Sequence, residues 1–222
     1  MLTCYDFSQN FGDTTFLTRF SSSPPVDEVS SASGTLSGNA SCDTTNKRLN
    51  LDGTGDRCRF AGGDVNTSVG VGWTIEAHVS VVSGTNNGTI AARSAASTGG
   101  WWFAYALNPP GSPVRACEFY AYEWDGLVLP LLQANNAFPD ATERHVAVVR
   151  DGTTWRMYVD GVQSSTATWS GAPANSTLPL DIGMFDATAD TDLQGTIGRV
   201  KVSNFCRYPG GTTFTPPSRT DA

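Results

Sequence analysis

The chain has 222 residues, with 14 Lys and Arg against 21 Asp and Glu, and a formal net charge of −7. This charge argues against a general nucleic-acid-binding protein, which needs a basic face to neutralise phosphates. The sequence is 10% aromatic and only 16% charged, which excludes a disordered chain.

The first half of the chain predicts short strands separated by turn residues. Arg48 to Asp52 has the pattern of a strand that ends at an Asp-Gly turn. Trp73 to Val81 alternates between apolar and polar positions over nine residues, which puts Trp73, Ile75 and Val79 on one inner face. Trp101 to Leu107 and Val114 to Tyr122 are two further strands. The Ser- and Pro-rich segment 21–45 is predicted to be a long loop.

The strongest local signal lies between His145 and Thr168. Three β-rich runs are joined there by two Asp-Gly pairs, at Asp151-Gly152 and Asp160-Gly161, which predicts an antiparallel meander. Leu178 to Gly183 and Gly195 to Ser203 are predicted as strands as well, and the tail 207–222 as an extended strap. No segment has helical periodicity for more than two turns. We therefore predict an all-β protein, with one antiparallel β-sandwich over residues 1–222.

The order of these segments resembles a known family. The segments that carry the resemblance include Leu49 to Asp56, Gly72 to Ala77, Met157 to Val162, Gly195 to Ser203 and Phe214 to Pro217. Together they resemble the laminin-G-like, concanavalin A-like jelly-roll domain that is common in bacteriophage virion proteins. The match covers roughly residues 45–217, and Leu2 to Phe7 resembles the first strand of the family. The chain departs from the family at Gly198 and Arg199, where relatives often carry two acidic residues.

The resemblance implies a non-enzymatic virion protein, either a capsid decoration protein or a tail-associated module. Its partners would be other virion proteins or a second copy of the chain, and it would be made in the host cytoplasm. The alternative is a carbohydrate-binding adhesin for host surface glycans, and a glycoside hydrolase is the less favoured third reading. The N-terminus, Met1 to Asp6, does not have the pattern of a secretory signal, and the apolar run from Leu127 to Leu132 is too short for membrane insertion.

The sequence does not contain a coherent catalytic set. Glu118 and Glu123 are the closest candidates for a glycosidase pair, but an odd separation puts them on opposite faces of a regular strand. His78 and His145 lie within strand patterns, and neither has a nucleophile elbow nearby. We interpret both as hydrogen-bonded sheet histidines and expect no catalytic residues.

Two groups of residues are candidates for binding. Trp101 and Trp102 are adjacent in a strand, so one ring can fill the core while the other offers a stacking or interface surface. Tyr120, Tyr122 and Trp124 share a face at period two and could extend that surface, although all these rings could also serve to fill the sandwich. Three carboxylates, of Asp186, Asp190 and Asp192, form an acidic loop that could bind calcium or could simply be solvated.

The five cysteines are widely spaced and form no Cys-x-x-Cys pair. We interpret them as mostly buried thiols of a protein folded in a reducing compartment. A disulfide such as Cys42–Cys58 is the alternative.

Overall fold

The structure is a computed structural model, and it describes residues 14–61, 72–82, 87–94, 99–107, 115–122, 128–138, 142–173, 176–185 and 191–220. These residues form strands and one short 3₁₀ turn: β1 (Thr14–Thr18), β2 (Thr35–Ser37), β3 (Ser41–Asp43), β4 (Arg48–Asp52), β5 (Arg57–Phe60), β6 (Gly72–Val81), β7 (Gly88–Ser94), β8 (Gly100–Leu107), β9 (Arg115–Tyr122), β10 (Val128–Ala134), β11 (Arg144–Asp151), β12 (Thr154–Val159), β13 (Val162–Thr168), β14 (Leu180–Gly183), β15 (Gln194–Ser203) and the turn Pro209–Gly211.

The strands form two antiparallel sheets. The first sheet has the order β13-β12-β11-β6-β15-β4-β3, and β1 pairs with β15 beside this path. The second sheet has the order β10-β9-β8-β7-β14-β5-β2. Some paired strands, such as β6 and β15, are far apart in sequence, which is typical of the connections in a jelly roll. The predicted all-β sandwich is confirmed.

The core lies between the inner faces of the two sheets. Trp73 of β6 is buried there against Trp101 of β8, with ring centroids 5.6 Å apart, and against Phe119 of β9 at 5.9 Å. Trp155 of β12 stacks on Phe119 at 5.8 Å. Large aromatic rings bury much apolar area, and their edge-to-face and offset contacts stabilise the interior further.

The Asp-Gly meander is confirmed. β11 and β12 pair from Val146–Val159 to Asp151–Thr154, and β12 pairs with β13 through the second turn. Asp160 and Gly161 have φ of 49° and 77°, the left-handed conformation that a tight hairpin turn requires. Trp155 and Met157 face the core while Tyr158 points outward, as the alternation predicts.

The segment 21–45 is not the continuous loop that its composition indicates. It contains β2 and β3, which add one short strand to the edge of each sheet, and an isolated bridge between Val26 and Ser33. Runs of three residues carry no alternation that would distinguish them from a loop.

Residues 204–220, which we call the C-terminal strap, lie across the outer face of the first sheet. Tyr208 and Phe214 of the strap stack on each other, with centroids 3.6 Å apart, and form a second apolar cluster with Ala147, Val149 and Tyr158. The predicted strap therefore covers strand positions that would otherwise expose apolar surface. Across the described part of the chain, we find no helix that combines the length and the apolar character of a membrane span.

Candidate ligand-binding surface

The adjacent tryptophans of β8 face opposite sides of the second sheet. Trp101 is 1% exposed and lies in the central core, so it has no ring surface left for a ligand. Trp102 is only partly buried and lies on the outer face of the sheet. Of the two residues that the sequence nominates together, Trp102 alone is placed to contact a partner.

Trp102 is the middle ring of an aromatic ladder, which we define as Tyr120, Trp102 and Phe185. Tyr120 of β9 stacks on Trp102 with centroids 4.9 Å apart and ring planes 22° apart. Phe185, just after β14, stacks on Trp102 at 5.4 Å and 25°. β9 is the neighbour of β8 on one side, and β14 lies on the other side beyond β7, so Tyr120 and Phe185 approach the indole from opposite directions and cover both of its faces.

Two side-chain hydrogen bonds fix the ladder. The indole Nε1 of Trp102 donates to Oγ1 of Thr89 at 3.0 Å, and Thr89 lies on the neighbouring β7. The Tyr120 hydroxyl donates to Oε2 of Glu118, two residues earlier on the same face of β9. Glu118 is only 2% exposed, and its carboxylate fixes the orientation of the Tyr120 hydroxyl through this hydrogen bond.

The remaining aromatic candidates are not placed in the same detail. Tyr122 pairs with Gly100 and Val128 in the backbone register, and its side chain lies outside the described part of the structure. Trp124 lies outside the described residues. The contribution of these two rings to the surface stays a prediction. Phe185 was not found from the sequence, because it follows a four-residue strand with no alternating pattern.

The two carboxylates on the described strands of this sheet lie too far apart for a glycosidase pair. In the described strands of the second sheet, the acidic residues are Glu118 on β9 and Asp181 on β14. Three strand spacings separate them, about 14 Å, whereas the carboxyl groups of retaining or inverting enzymes lie within about 10 Å. Asp181 is held in a two-bond pair by Arg59, with both N–O distances 2.6 Å. Glu123 lies outside the described residues.

The acidic loop is described only at its end. Asp186 and Asp190 lie outside the described residues, and Asp192 accepts a hydrogen bond through Oδ2 from the Gly55 amide at 2.8 Å. This contact brings Asp192 beside the turn that contains Asp52 and Asp56. The buried Asp56 carboxylate accepts hydrogen bonds there from two backbone amides. In the portion of the chain that is described, no three His, Cys, Asp or Glu side chains are grouped to hold a metal ion. The calcium site stays a prediction.

A second polar group lies on the opposite side of the molecule, beneath the C-terminal strap. Glu76 of β6 is 1% exposed, and its Oε2 accepts hydrogen bonds from the Tyr208 hydroxyl and faces Nε2 of His145 at 3.3 Å. Nε of Arg207 lies 3.6 Å from the other oxygen. Burial alone would raise the pKa of Glu76, but the hydrogen bond and charge of His145, with nearby arginines, hold it well below its ordinary value.

The two histidines are sheet residues with hydrogen-bonded rings, as interpreted from the sequence. His78 and His145 are directly opposite each other on β6 and β11, with ring centroids 5.1 Å apart. Nε2 of His78 lies 3.0 Å from the Pro217 carbonyl of the strap. Burial first, and then the charge of His145, lowers the pKa of His78 to about 4. Neither ring is near a serine or cysteine nucleophile in the contacts described.

The four described cysteines, Cys42, Cys58, Cys117 and Cys206, are free thiols. Cys58 and Cys117 are fully buried, and burial raises the pKa of each thiol above its ordinary value. The alternative disulfide between Cys42 and Cys58 is not formed in this structure.

A family model described as the concanavalin A-like lectin/glucanases superfamily matches residues 52–209, more than half of the chain. The chain belongs to this superfamily. Superfamily membership accounts for the two antiparallel sheets and for the alternation in β6, β11 and β12. No curated protein matches the chain.

Solved structures with the same lectin/glucanase-like fold are distant in sequence. The ligand-binding domain of botulinum neurotoxin serotype D, in complex with N-acetylneuraminic acid, has a TM-score of 0.67 at 10% identity, over 87% of this chain and 48% of that one. Domain 4 of AbnA, an extracellular arabinanase from Geobacillus stearothermophilus, in complex with arabinotriose, has a TM-score of 0.62 at 14% identity, over 87% and 93%. The binding domain of Paraclostridial Mosquitocidal Protein 1 has a TM-score of 0.65 at 11% identity, over 88% and 49%.

This chain therefore spans about half the length of the toxin domains that it matches, 48% in the case of a C/D mosaic botulinum neurotoxin receptor-binding domain. At these identities, the likeness is one of fold.

Proposed function

We propose that this protein is a non-catalytic carbohydrate-binding module whose ligand surface is the outer face of the second sheet around the aromatic ladder. The main support for this proposal is the aromatic ladder. Its partly exposed rings, Trp102 and Tyr120, are held in place by stacking and by hydrogen bonds to Thr89 and Glu118. Rigid aromatic side chains that are apolar in body and polar at one end supply contact area at low entropic cost.

The ladder limits how a sugar would bind. Both faces of the Trp102 indole are covered, so a sugar ring would pack on the outward edges of the ladder rather than on the indole face. The wide separation of Glu118 and Asp181 supports binding without hydrolysis. Two fold relatives, the botulinum serotype D domain and domain 4 of AbnA, were solved in complex with carbohydrate, and this supports the same ligand class here.

A glycan array is the first test, run once with calcium and once with a chelator. Binding to a restricted set of glycans is the expected result. A chelator-sensitive signal would assign a role to the acidic loop that ends at Asp192, whereas an equal signal in both buffers would leave the ladder as the site. A flat array in both buffers would contradict the proposal.

We further propose that the module acts on a bacteriophage particle, as a tail-associated adhesin or a capsid decoration protein that contacts other virion proteins. The sequence of β15 and of the segment that follows it, from Gly195 to Pro217, supports this setting through its resemblance to phage proteins. Mass spectrometry of purified virions, separated into capsids and tails, tests it. Recovery in tails would favour the adhesin, and recovery in capsids the decoration protein. Absence from particles would contradict a virion role.

A further inference from the structure

The backbone register places one row of side chains across the outer face of the second sheet, and this row begins at the aromatic ladder. Tyr120 lies opposite Trp102, and Trp102 lies opposite Ala92 of β7. Ala92 lies opposite Asp181 of β14, which in turn lies opposite Arg59 of β5. Because directly paired residues point to the same face of a sheet, the ladder and Arg59 share one surface.

Strand β5 brings two arginines to this face. Arg57 and Arg59 lie on either side of the core residue Cys58, so both side chains point outward. Strand β2, at the edge of the sheet, places Ser37 opposite Arg57 and Thr35 opposite Arg59. The end of the row away from the ladder therefore carries two guanidinium groups and two hydroxyls. It lies three strand spacings from β8, about 14 Å.

The two arginines differ in their partners. Arg59 is held by Asp181 through two hydrogen bonds of 2.6 Å, so this ion pair has no net charge. The side chain of Arg57 is half-buried and forms no hydrogen bond or ion pair in the described part of the chain, and its Nε is buried without an acceptor. The neighbouring carboxylate, that of Asp56, accepts hydrogen bonds from two backbone amides instead. Arg57 therefore keeps an uncompensated positive charge in a chain whose net charge is −7.

The chemistry of Arg57 matches one kind of partner. Buried N–H groups in proteins are normally hydrogen-bonded, so the unpaired Nε calls for an acceptor from outside the described chain. A planar guanidinium binds a carboxylate or a sulfate group through two parallel hydrogen bonds, and the charge on both partners strengthens them.

We propose that the aromatic ladder and Arg57 are the two ends of one binding surface for an acidic oligosaccharide. A sugar ring packs at the ladder, and a carboxylate or sulfate group of another sugar binds Arg57. The oligosaccharide then runs across the strands, from β8 towards β5. This inference rests on the proposed carbohydrate function and adds to it the charge and the direction of the ligand.

Paired glycans on the array test the charge of the ligand. Each acidic oligosaccharide is spotted beside its carboxyl-reduced or desulfated form, and affinities are then measured for the pairs that bind. We expect the acidic member to bind at least about tenfold more tightly, the usual effect of a charge-assisted hydrogen bond. Loss on carboxyl reduction identifies a carboxylate, and loss on desulfation identifies a sulfate. Equal binding within the pairs would overturn this inference and leave the carbohydrate proposal standing, whereas a flat array would contradict both.

Matched variants test the role of Arg57. Arg57→Gln should weaken binding of the acidic member about tenfold and leave binding of the neutral member unchanged. Arg48→Gln is the control, because Arg48 is a half-buried arginine on β4 of the first sheet, and it should bind both members like the wild type. An equal loss for both members in Arg57→Gln, or no loss for either, would overturn the assignment.

Salt dependence gives an independent readout on the wild type. Raising sodium chloride from about 0.05 to 0.5 M should weaken binding of the acidic member and leave that of the neutral member nearly constant, because salt screens the contact with a partly exposed guanidinium. This titration decides the question if Arg57→Gln does not fold. The same salt response for both members would contradict an ionic contact in the site.

Discussion

The hydroxyl of Tyr208 donates a hydrogen bond to the buried carboxylate of Glu76, across 132 residues of sequence. This contact joins the C-terminal strap to the central strand of the first sheet, at a point where both groups are almost fully removed from water. A hydrogen bond to a buried ionised acceptor is stronger than one between neutral groups. The strap is therefore an integral part of the fold.

Replacing this hydroxyl should destabilise the protein measurably. We expect Tyr208→Phe to lower the free energy of unfolding by about 2 kcal/mol, because the Glu76 carboxylate loses a donor and stays buried. Tyr158→Phe is the matched control, since its hydroxyl donates to the Tyr208 carbonyl at 3.0 Å, and it should cost about 1 kcal/mol. Urea denaturation measures both. Equal losses in the two variants would contradict a special role of the charged acceptor.

The contact between the strap and the second Asp-Gly turn can be tested with two alanines. A Cβ at Gly161 would lie 1.9 Å from the Phe214 carbonyl oxygen, whereas a Cβ at Gly152 would meet nothing within 4 Å. Both glycines have positive φ, 77° for Gly161 and 62° for Gly152. Backbone strain should therefore lower the free energy of unfolding by a similar amount in both alanine variants, about 1 kcal/mol.

We expect Gly161→Ala to lose about 1–3 kcal/mol more than Gly152→Ala, because the strap must shift to relieve the overlap. Limited proteolysis should also cleave Gly161→Ala faster between 212 and 220. If the two variants unfold at the same urea concentration, the strap does not pack on this turn.

The buried ring of His78 predicts a dependence of stability on pH. The pKa of His78 is about 4 in the folded protein, against about 6.5 for an unperturbed histidine, so the unfolded chain takes up the proton first as the pH falls. The contribution of His78 to the free energy of unfolding should fall by roughly 3 kcal/mol between pH 6.5 and 4, and this contribution should then stay constant below pH 4.

The variant His78→Gln keeps a donor for the Pro217 carbonyl and does not titrate. Its free energy of unfolding should therefore change less over the same pH interval than that of the wild type. Denaturation curves at pH 7, 6, 5 and 4 make the comparison. Parallel curves for the two proteins would show that His78 does not have the lowered pKa.

Much of the sandwich follows from local sequence. The alternation of β6 predicts its inner face, and the Asp-Gly pairs predict the β11–β13 meander, since both signals lie within one or two strands. β10 was missed because Pro130 interrupts its apolar run. The structure tolerates this proline on an edge strand, where the register shifts between Pro130 and Leu132.

The candidate sites were predicted less completely. Adjacent tryptophans on a strand must face opposite ways, so the division of Trp101 and Trp102 between core and surface was foreseeable. The sequence did not indicate which ring is outside, nor that Phe185 would cover it. Glu76 and His78 share the polar face of β6, but their contacts with Tyr208 and Pro217 depend on the path of a strap more than 130 residues away.

The two tryptophans should respond to truncation in different ways. Trp101→Ala should cost about 3–5 kcal/mol of stability, because it opens a large cavity in the core. Trp102→Ala removes a partly exposed ring and should cost less. Thermal unfolding of both variants checks the order, and the reverse order would contradict the assignment of Trp102 to the outer face.

The most direct test of the account is a quantitative binding measurement with Trp102→Ala on the best glycan from the array. Trp169→Ala is the matched control, because Trp169 is a similarly half-buried ring that packs against Trp155 of the first sheet. We predict that Trp102→Ala weakens binding at least tenfold, about 1.4 kcal/mol, while Trp169→Ala binds like the wild type. Unchanged affinity in folded Trp102→Ala, or an equal loss in both variants, would contradict a carbohydrate surface at the aromatic ladder.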